Sequence, residues 1–535
     1  MISAILFCFI FTERVVFSAL YFKDRENILQ GIVDFLNGII WSPALIYLCL
    51  AAGLFYSIQT RFVQVRLFRE MYQLLLSGKT SEHGISSFQA LAVSLSGRVG
   101  TGNIAGVAAA IGFGGPGAVF WMWVVAFLGA ATAYVESTLA QIYKEVDQDQ
   151  YRGGPAYYIE KVTGQKWYAV LFAIATIIAC GLLLPGVQSN SIGNAVELAF
   201  GSGDMIDTGI GMISETKIAT ASGIVLILGF IIFGGVKRIA GFTQFVVPFM
   251  ALAYIIVACV IIALNIGELP HVFAMIVGDA FTPMAGVGAA IGWGVKRGVY
   301  SNEAGQGTGP HAAAAAEVEH PAQQGLVQAF SVYIDTLFVC SATAFVILIT
   351  GAYNVHGVGD AFLIHNVSAD IIANSPAYTQ IAVEGVLPGV GKPFIALALF
   401  FFSFTTILAY YYIAETNVAY IHRTLKMANF TFFLKIALML ATFYGTIKAA
   451  NLAWGMGDVG VGLMAWLNLV GLLIIFFMGK PALKALKDYE LQRRARKEVY
   501  TFEPLKLGIK HADFWENRHK VNNIDVEDDE EVPSR

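Results

Sequence analysis

Ser94-Leu95-Ser96-Gly97-Arg98-Val99-Gly100-Thr101-Gly102-Asn103 lies within an apolar run, 87–111, long enough to cross a bilayer, yet it makes a poor continuous helix. It holds three glycines within six residues and an arginine at membrane depth. Each glycine costs a helix interior about 1 kcal/mol relative to alanine. A break there exposes backbone amides and carbonyls, which is tolerable only where protein or a water-filled cavity satisfies them. A half-helix starting at Thr101-Gly102-Asn103 presents free N–H groups and its positive dipole end to a carboxylate. Carbonyls freed at Ser96–Val99 suit Na⁺ or an ammonium group, so the pair of features fits a zwitterion plus a cation.

A second stretch has the same character. Gly292-Trp293-Gly294-Val295-Lys296-Arg297-Gly298 is followed by Tyr300-Ser301-Asn302-Glu303-Ala304-Gly305-Gln306-Gly307. In both stretches an arginine precedes an asparagine by five positions, Arg98 to Asn103 and Arg297 to Asn302. The two lie five apolar spans apart, and an odd number of crossings runs them through the membrane in opposite directions. Paired interrupted helices in inverted halves point to a secondary transporter's midplane site. The competing reading is close helix packing through small residues, which suits Gly106, Gly112 and Gly129 better than glycines clustered with charge.

Composition supports the membrane setting. Of 535 residues, 56% are hydrophobic and 13% charged, with a net charge of -4. An ordinary soluble domain carries roughly a quarter charged residues. So little charge over this length argues against a soluble enzyme, a nucleic-acid binder or a disordered scaffold, and makes a lipid bilayer the expected solvent. The five cysteines, Cys8, Cys49, Cys180, Cys259 and Cys340, all lie in apolar stretches and read as buried thiols rather than a disulfide framework.

Candidate spans of roughly 20 apolar residues fall near 33–57, 87–111, 118–142, 168–198, 219–235, 241–265, 284–308, 325–350, 392–418, 430–450 and 455–478, about eleven in all. Residues 1–30 form an apolar extension left unassigned, because Glu13 and Arg14 interrupt it. Basic residues follow alternate spans: Arg61, Arg66 and Arg69; Lys144, Arg152, Lys161 and Lys166; Lys237 and Arg238; Arg423 and Lys426; and the dense set from Lys480 to Lys497. Loops 266–283 and 351–390 carry no lysine or arginine. By the positive-inside rule the N-terminal side of 33–57 faces out and the C-terminus faces the cytoplasm. The tail 479–535 ends in an acidic run, Asp525 to Glu531, and is expected to be partly disordered.

The residues also carry a family resemblance. Gly97-Arg98-Val99-Gly100-Thr101-Gly102-Asn103-Ile104-Ala105-Gly106-Val107-Ala108, running on to Gly114-Gly115-Pro116-Gly117-Ala118-Val119-Phe120-Trp121-Met122-Trp123, resembles the signature of the alanine or glycine:cation symporter family, the sodium:alanine symporters. Gly153-Gly154-Pro155-Ala156-Tyr157-Tyr158-Ile159, Arg297-Gly298-Val299-Tyr300-Ser301-Asn302-Glu303-Ala304-Gly305, and His320-Pro321 with Gln324-Gly325 and Asp335-Thr336 match further blocks, in order, over about 31–515. The resemblance implies an all-α membrane protein: a five-plus-five inverted-repeat bundle of the leucine-transporter type with one extra N-terminal helix. The corresponding divisions are 31–60 for the extra helix, 86–265 for the first repeat and 284–478 for the second. It further implies a secondary active transporter of a bacterial plasma membrane that imports alanine or glycine by alternating access, with Na⁺, or H⁺, as the coupling ion. No organic cofactor and no obligate protein partner are implied.

Carried over by motif, Thr101, Gly102 and Asn103 hold the substrate carboxylate, and Gln188 matches a polar pocket residue, with a glutamine bonding a neighbouring helix as its alternative. Trp293 and Tyr300 flank the second break as candidate walls of a small apolar pocket, although a single aromatic in a bundle more often packs or anchors an interface. Ser301 and Asn302 complete the substrate set. Fold analogy puts a sodium site at the carbonyls of Ser96 and Val99 with the hydroxyls of Thr405 and Thr406. Oxygen ligation suits a hard cation, while a membrane threonine also bonds its own helix one turn back. Arg98, Glu136, Lys296, Arg297, Glu303, Asp335, Glu415 and Lys435 are intramembrane charges, functional candidates by default and structural pairs otherwise.

Other readings are weaker. Gly112 to Gly117 fits the dinucleotide spacing G-x-G-x-x-G, but no strand precedes it. His311 and His320 lack a third metal ligand. An intramembrane enzyme using Glu303 or Asp335 with His311 lacks a nucleophile–base arrangement, and an ion channel does not call for paired breaks.

Overall fold

The computed structural model describes residues 22–76, 85–147, 150–208, 211–282, 284, 286–357, 359 and 361–518. Residues 1–21, with Cys8, and the acidic run 525–531 lie outside the described residues. The described chain is mostly helical, with three short antiparallel hairpins, 145–147 with 150–152, 205–207 with 212–214, and 354–356 with 362–365.

Seven described helical stretches are long and apolar enough to cross a membrane: Gly117–Ile142, Lys166–Phe200, Glu215–Ile232, Lys237–Leu264, Pro321–Thr350, Gly391–Leu425 and Ala450–Gly479. An eighth is the pair Ile28–Ile40 and Pro43–Gln59, bent by 43° where Trp41-Ser42-Pro43 interrupts the helix. Proline at the first position of the second segment lacks the N–H that would continue the ladder. The three remaining expected spans coincide with shorter or interrupted helices: Ser87–Arg98 with Gly102–Gly114, Val287–Asn302, and Thr431–Ile447. The outer girdle carries fully presented apolar side chains, such as Phe245 at 75% exposure and Phe477 at 76%. Water would penalise such a surface and acyl chains would not.

Small residues set the helix spacing. A side chain at Gly445 would run into the backbone of Gly186, and one at Gly298 into Val125. Three π-helical segments, Gly102–Gly106, Ala179–Leu183 and Tyr333–Cys340, contain or adjoin Asn103, Gln188 and Asp335. Such widened turns free backbone groups and recur at functional sites.

The basic loops gather at one end of the bundle. Arg61 and Arg66 pair with Glu490 at 3.0 and 2.7 Å, Lys161 with Asp513 at 3.0 Å, and Arg423 with Glu160 at 2.6 Å. From Pro481 to residue 518 the tail is ordered against that end, with Trp515 buried and its Nε1 donating to Gln141 O at 2.8 Å.

Candidate functional site

The first break begins with a well-formed helix. Ser86 accepts from Gln89 N at 3.1 Å while the Gln89 side chain accepts from Ser86 N at 3.0 Å, a capping box that starts Ser87–Arg98. The helix stops at Arg98, and the chain passes through Val99-Gly100-Thr101 into the π-helical turn Gly102–Gly106. Side chains take the amides exposed there. Asn103 Oδ1 accepts from Gly100 N at 2.8 Å and Gln188 Oε1 accepts from Thr101 N at 3.0 Å. Thr101 Oγ1 donates to Ser191 Oγ at 2.5 Å. A Cβ at Gly100 would sit 2.5 Å from Thr406 Oγ1 and 2.9 Å from Gln188 Oε1, so a larger residue must displace those two side chains.

The second break lies further along than the glycine spacing predicts. Val287–Asn302 runs as one helix through Gly292, Gly294 and Gly298, and the interruption falls at 303–308 before Gly309–Ala315. Gly294 and Gly298 instead let this helix close on Gly117–Ile142, where a Cβ would meet Trp121 and Val125. That is the small-residue packing of membrane bundles. The break itself has three residues at positive φ, Glu303 (58°), Gly305 (82°) and Gly307 (89°). Asn302 Oδ1 accepts from Ala304 N at 3.0 Å, as Asn103 does at the first break.

Six of the eight expected substrate residues meet. Gly102 lies against Ser301 and Tyr300, with an added Cβ at 3.2 Å from each, and Thr101 and Asn103 adjoin it. Gln188 reaches the same turn. Asn302 sits beside them but donates to Thr336 Oγ1 at 3.3 Å. Trp293 is elsewhere: it stacks on Phe113 at 4.6 Å and lines a cleft of about 620 Å³ with Lys296, Arg297, Trp454 and Asp458. One helix of pitch about 5.4 Å carries Trp293 roughly two turns from Tyr300, out of reach of the break.

Asp335 is the residue whose weight the sequence understates. Fully buried, its carboxylate accepts from Asn103 Nδ2 at 2.6 Å, from Ser301 Oγ at 2.9 and 3.0 Å, and from Thr336 Oγ1 at 2.7 Å. It therefore ties both interrupted helices to Pro321–Thr350. An aspartate in an apolar run signals importance, but no spacing rule names its partners.

Of the expected sodium ligands, three converge. Thr406 Oγ1 lies 2.7 Å from Ser96 O and 3.5 Å from Val99 O, as well as 2.9 Å from Phe402 O one turn back in its own helix. Thr405 does not join them. Its hydroxyl bonds back to Phe401 O and Phe402 O at 2.9 and 3.0 Å and faces Met250. Successive helix residues are turned by about 100°, so adjacent hydroxyls cannot both face one point. Ser403, three residues before Thr406 and so on its face, is buried with an unpartnered hydroxyl.

The buried charges are held in separate places. Arg297 meets Asp458 bidentately at 3.0 and 2.7 Å, and Lys296 shares that carboxylate at 2.7 Å. Arg98 donates through Nη1 to Gln328 O at 3.1 Å and to Ser331. Glu136 accepts from Gly305 N at 3.1 Å and Asn468 Nδ2 at 2.7 Å. Glu415 lies 3.8 Å from Arg152, and Lys435 packs over the Phe233 ring. The two histidines are engaged separately, His311 with Thr308 O and Asn417, His320 with Asp488.

Membrane-length helices packed around two interrupted ones that meet at one buried polar cluster are the architecture of a polytopic carrier. The model of the sodium:alanine symporter family matches residues 26–503, and the chain belongs to that family. It is a membrane transporter and not an enzyme. It is 57% identical over 495 residues to the putative sodium/proton-dependent alanine carrier protein YrbD of Bacillus subtilis, covering 92% of this chain and 98% of that one. It is 50% identical over 456 residues to the sodium/proton-dependent alanine carrier protein of Bacillus sp. strain PS3, covering 84% and 98%. The sodium/alanine symporter AgcS of Methanococcus maripaludis is 37% identical over 457 residues, covering 83% and 94%.

Proposed function

We propose that this protein imports alanine, and with it glycine, across the plasma membrane by alternating access, driven by Na⁺ or H⁺. The observation that carries the reading is the junction of the two interrupted helices, where a Cβ at Gly100 would collide with Thr406 and Gln188 and one at Gly102 would press on Tyr300 and Ser301. A site so tightly walled favours the smallest amino acids, because each added methylene that cannot be housed costs about 1–3 kcal/mol. The half-helix starting at Thr101 turns its positive dipole end to the substrate carboxylate, with Asn103 and Gln188 holding the turn in shape by taking the amides of Gly100 and Thr101. The names of the relatives support the same substrate and coupling ions.

Sodium binds at Ser96 O, Val99 O and the Thr406 hydroxyl, with Ser403 as the further oxygen. Cation binding there stabilises the end of Ser87–Arg98 and couples occupancy to the shape of the break. In the full arrangement about eleven spans form two inverted repeats, 86–265 and 284–478, behind the extra helix of 31–60. The basic end, with the ordered tail, faces the cytoplasm, as loop charge supports.

Radiolabelled alanine uptake into proteoliposomes tests the proposal. Accumulation should follow an inward Na⁺ or H⁺ gradient and be competed by unlabelled glycine. Uptake indifferent to both gradients overturns it.

A further inference from the structure

The core between the two breaks does not balance its charge. Among the described residues Arg98 is the cation that Glu136, Glu303 and Asp335 all act on. All four side chains are essentially inaccessible. Two negative charges are therefore in surplus. A buried ionised carboxylate is costly unless it is paired and hydrogen-bonded, and otherwise it neutralises by taking a proton.

The three carboxylates differ in how they are held. Asp335 receives Asn103, Ser301 and Thr336. Glu136 receives Gly305 N and Asn468. Glu303 Oε1 meets no donor, and no ion pair within 4 Å joins Glu303 to Arg98 among the described residues. Its oxygens instead lie 3.2 and 3.5 Å from where a Cβ on Gly97 would stand, so the carboxyl bears on the inner half of the first broken helix. Its own backbone sits at φ 58° at the head of the second break. The groups facing it from other elements are Arg98 on Ser87–Arg98, Glu136 on Gly117–Ile142, Asp335 on Pro321–Thr350, Cys180 on Lys166–Phe200 and Tyr410 on Gly391–Leu425. Tyr300 and Thr308 lie along its own segment.

We infer that Glu303 is the proton-carrying carboxyl of this transporter: it takes a proton from the outer solution and gives it up on the inner side. When protonated, Glu303 lowers the negative surplus and can donate a hydrogen bond across the seam to Ser87–Arg98. When ionised, it repels Glu136 and Asp335 and is favoured by Arg98 and, within its own segment, by Thr308. The seam it changes joins the inner half of the first broken helix to the second break, the two parts that must separate for release inside. The inference rests on the reading of the protein as a cation-coupled carrier, and it assigns the H⁺ to one residue.

Glu303→Gln fixes the neutral form with the same shape. In Na⁺-free proteoliposomes, wild-type alanine uptake should rise with an inward pH gradient, and Glu303→Gln should lose at least about tenfold of it. Its Na⁺-driven uptake should persist and lose its pH dependence. A variant that keeps gradient-driven, Na⁺-free uptake at the wild-type level overturns the assignment. A second readout does not depend on transport: infrared difference spectra of the purified protein between acid and neutral buffer. They should show a protonated-carboxyl band that titrates in wild type, shifts in Glu303→Asp and is missing in Glu303→Gln. An unchanged band in either variant also overturns it. Wild type that transports alanine under neither gradient refutes the functional reading instead, while the infrared titration still decides whether Glu303 binds the proton.

Discussion

The two interruptions differ in how completely they are finished. At the first, three residues leave the helix and side chains from neighbouring elements take the freed amides, Asn103 for Gly100 and Gln188 for Thr101. At the second, six residues leave it, three at positive φ. There Glu303 Oε1, both amide atoms of Gln306 and the Thr308 hydroxyl stay buried without partners. A buried polar atom without a partner costs about 1–3 kcal/mol; at the first break the unpartnered atoms are Nε and Nη2 of Arg98, on the helix that ends there, whereas at the second they belong to the turn itself. On the proposed function the comparison points to a division of labour: a pre-organised socket for the substrate, opposite a turn with three residues at positive φ and polar atoms to spare, suited to rearranging as the site opens.

The sharpest way to break that comparison is Asn103→Ala. The substitution removes both the cap on Gly100 N and the bond to Asp335, a hydrogen bond to a charged group worth about 1.5–3 kcal/mol. Alanine uptake should fall by about a hundredfold or more. Wild-type uptake by Asn103→Ala would show that the first break does not depend on its socket.

Glycine substitutions separate a site glycine from a packing glycine. Gly100→Ala forces a methyl against Thr406 Oγ1 and Gln188 Oε1. Overpacking of this kind costs about 1–3 kcal/mol, so uptake should fall roughly tenfold to a hundredfold while the protein stays folded by size-exclusion. Gly292→Ala has nothing within 4 Å and should be nearly silent, although the sequence places it in the second break.

How much was legible can be read from these same positions. Arg98 to Asn103 could be recognised because glycine, charge and asparagine coincide within one apolar run, and the structure breaks the helix there. The second stretch has the same ingredients spread over 292–307, and composition could not say which glycines bend the chain and which admit a neighbour. Only the facing helix decides that, since Gly294 and Gly298 pack on Trp121 and Val125 while Gly305 and Gly307 turn. Thr405 and Thr406 are indistinguishable in sequence, and helix rotation alone turns one toward Ser96 and the other toward Met250. Asp335 was visible as a charge, but its partners come from residues 34 and 232 positions away.

Thr406→Ala and Thr405→Ala sharpen the ion side of the first break. Removing the Thr406 hydroxyl deletes a ligand of the proposed Na⁺ site, so the Na⁺ concentration for half-maximal uptake should rise about tenfold. Thr405→Ala removes a back-bond within its own helix and should shift it by less than about twofold. Equal shifts would place both hydroxyls at the ion.

The smallest effect lies away from both breaks, where the tail grips the segment that follows the second. His320 precedes Pro321–Thr350 as its N-cap: Nδ1 accepts from Ala322 N at 3.1 Å, which leaves Nε2–H for Asp488 at 3.2 Å. Burial lowers its pKa below that of an ordinary histidine, only partly offset by Asp488. The folded state thus binds the proton less readily than the unfolded or undocked state. The stabilisation is therefore complete above about pH 6.5 and is lost as pH falls below it, toward the lowered folded value. Protonation also turns Nδ1 from acceptor to donor and removes the cap, a loss of about 0.5–2 kcal/mol. Protease cleavage between Arg494 and Arg518 should accelerate modestly from pH 7.5 to about pH 5.5, and His320→Asn, which keeps a cap acceptor and does not titrate, should flatten the dependence. A pH profile unchanged in His320→Asn would mean that the tail is held by its ion pairs, Arg61 and Arg66 with Glu490 and Lys161 with Asp513, and that the second break is not coupled to it through this cap.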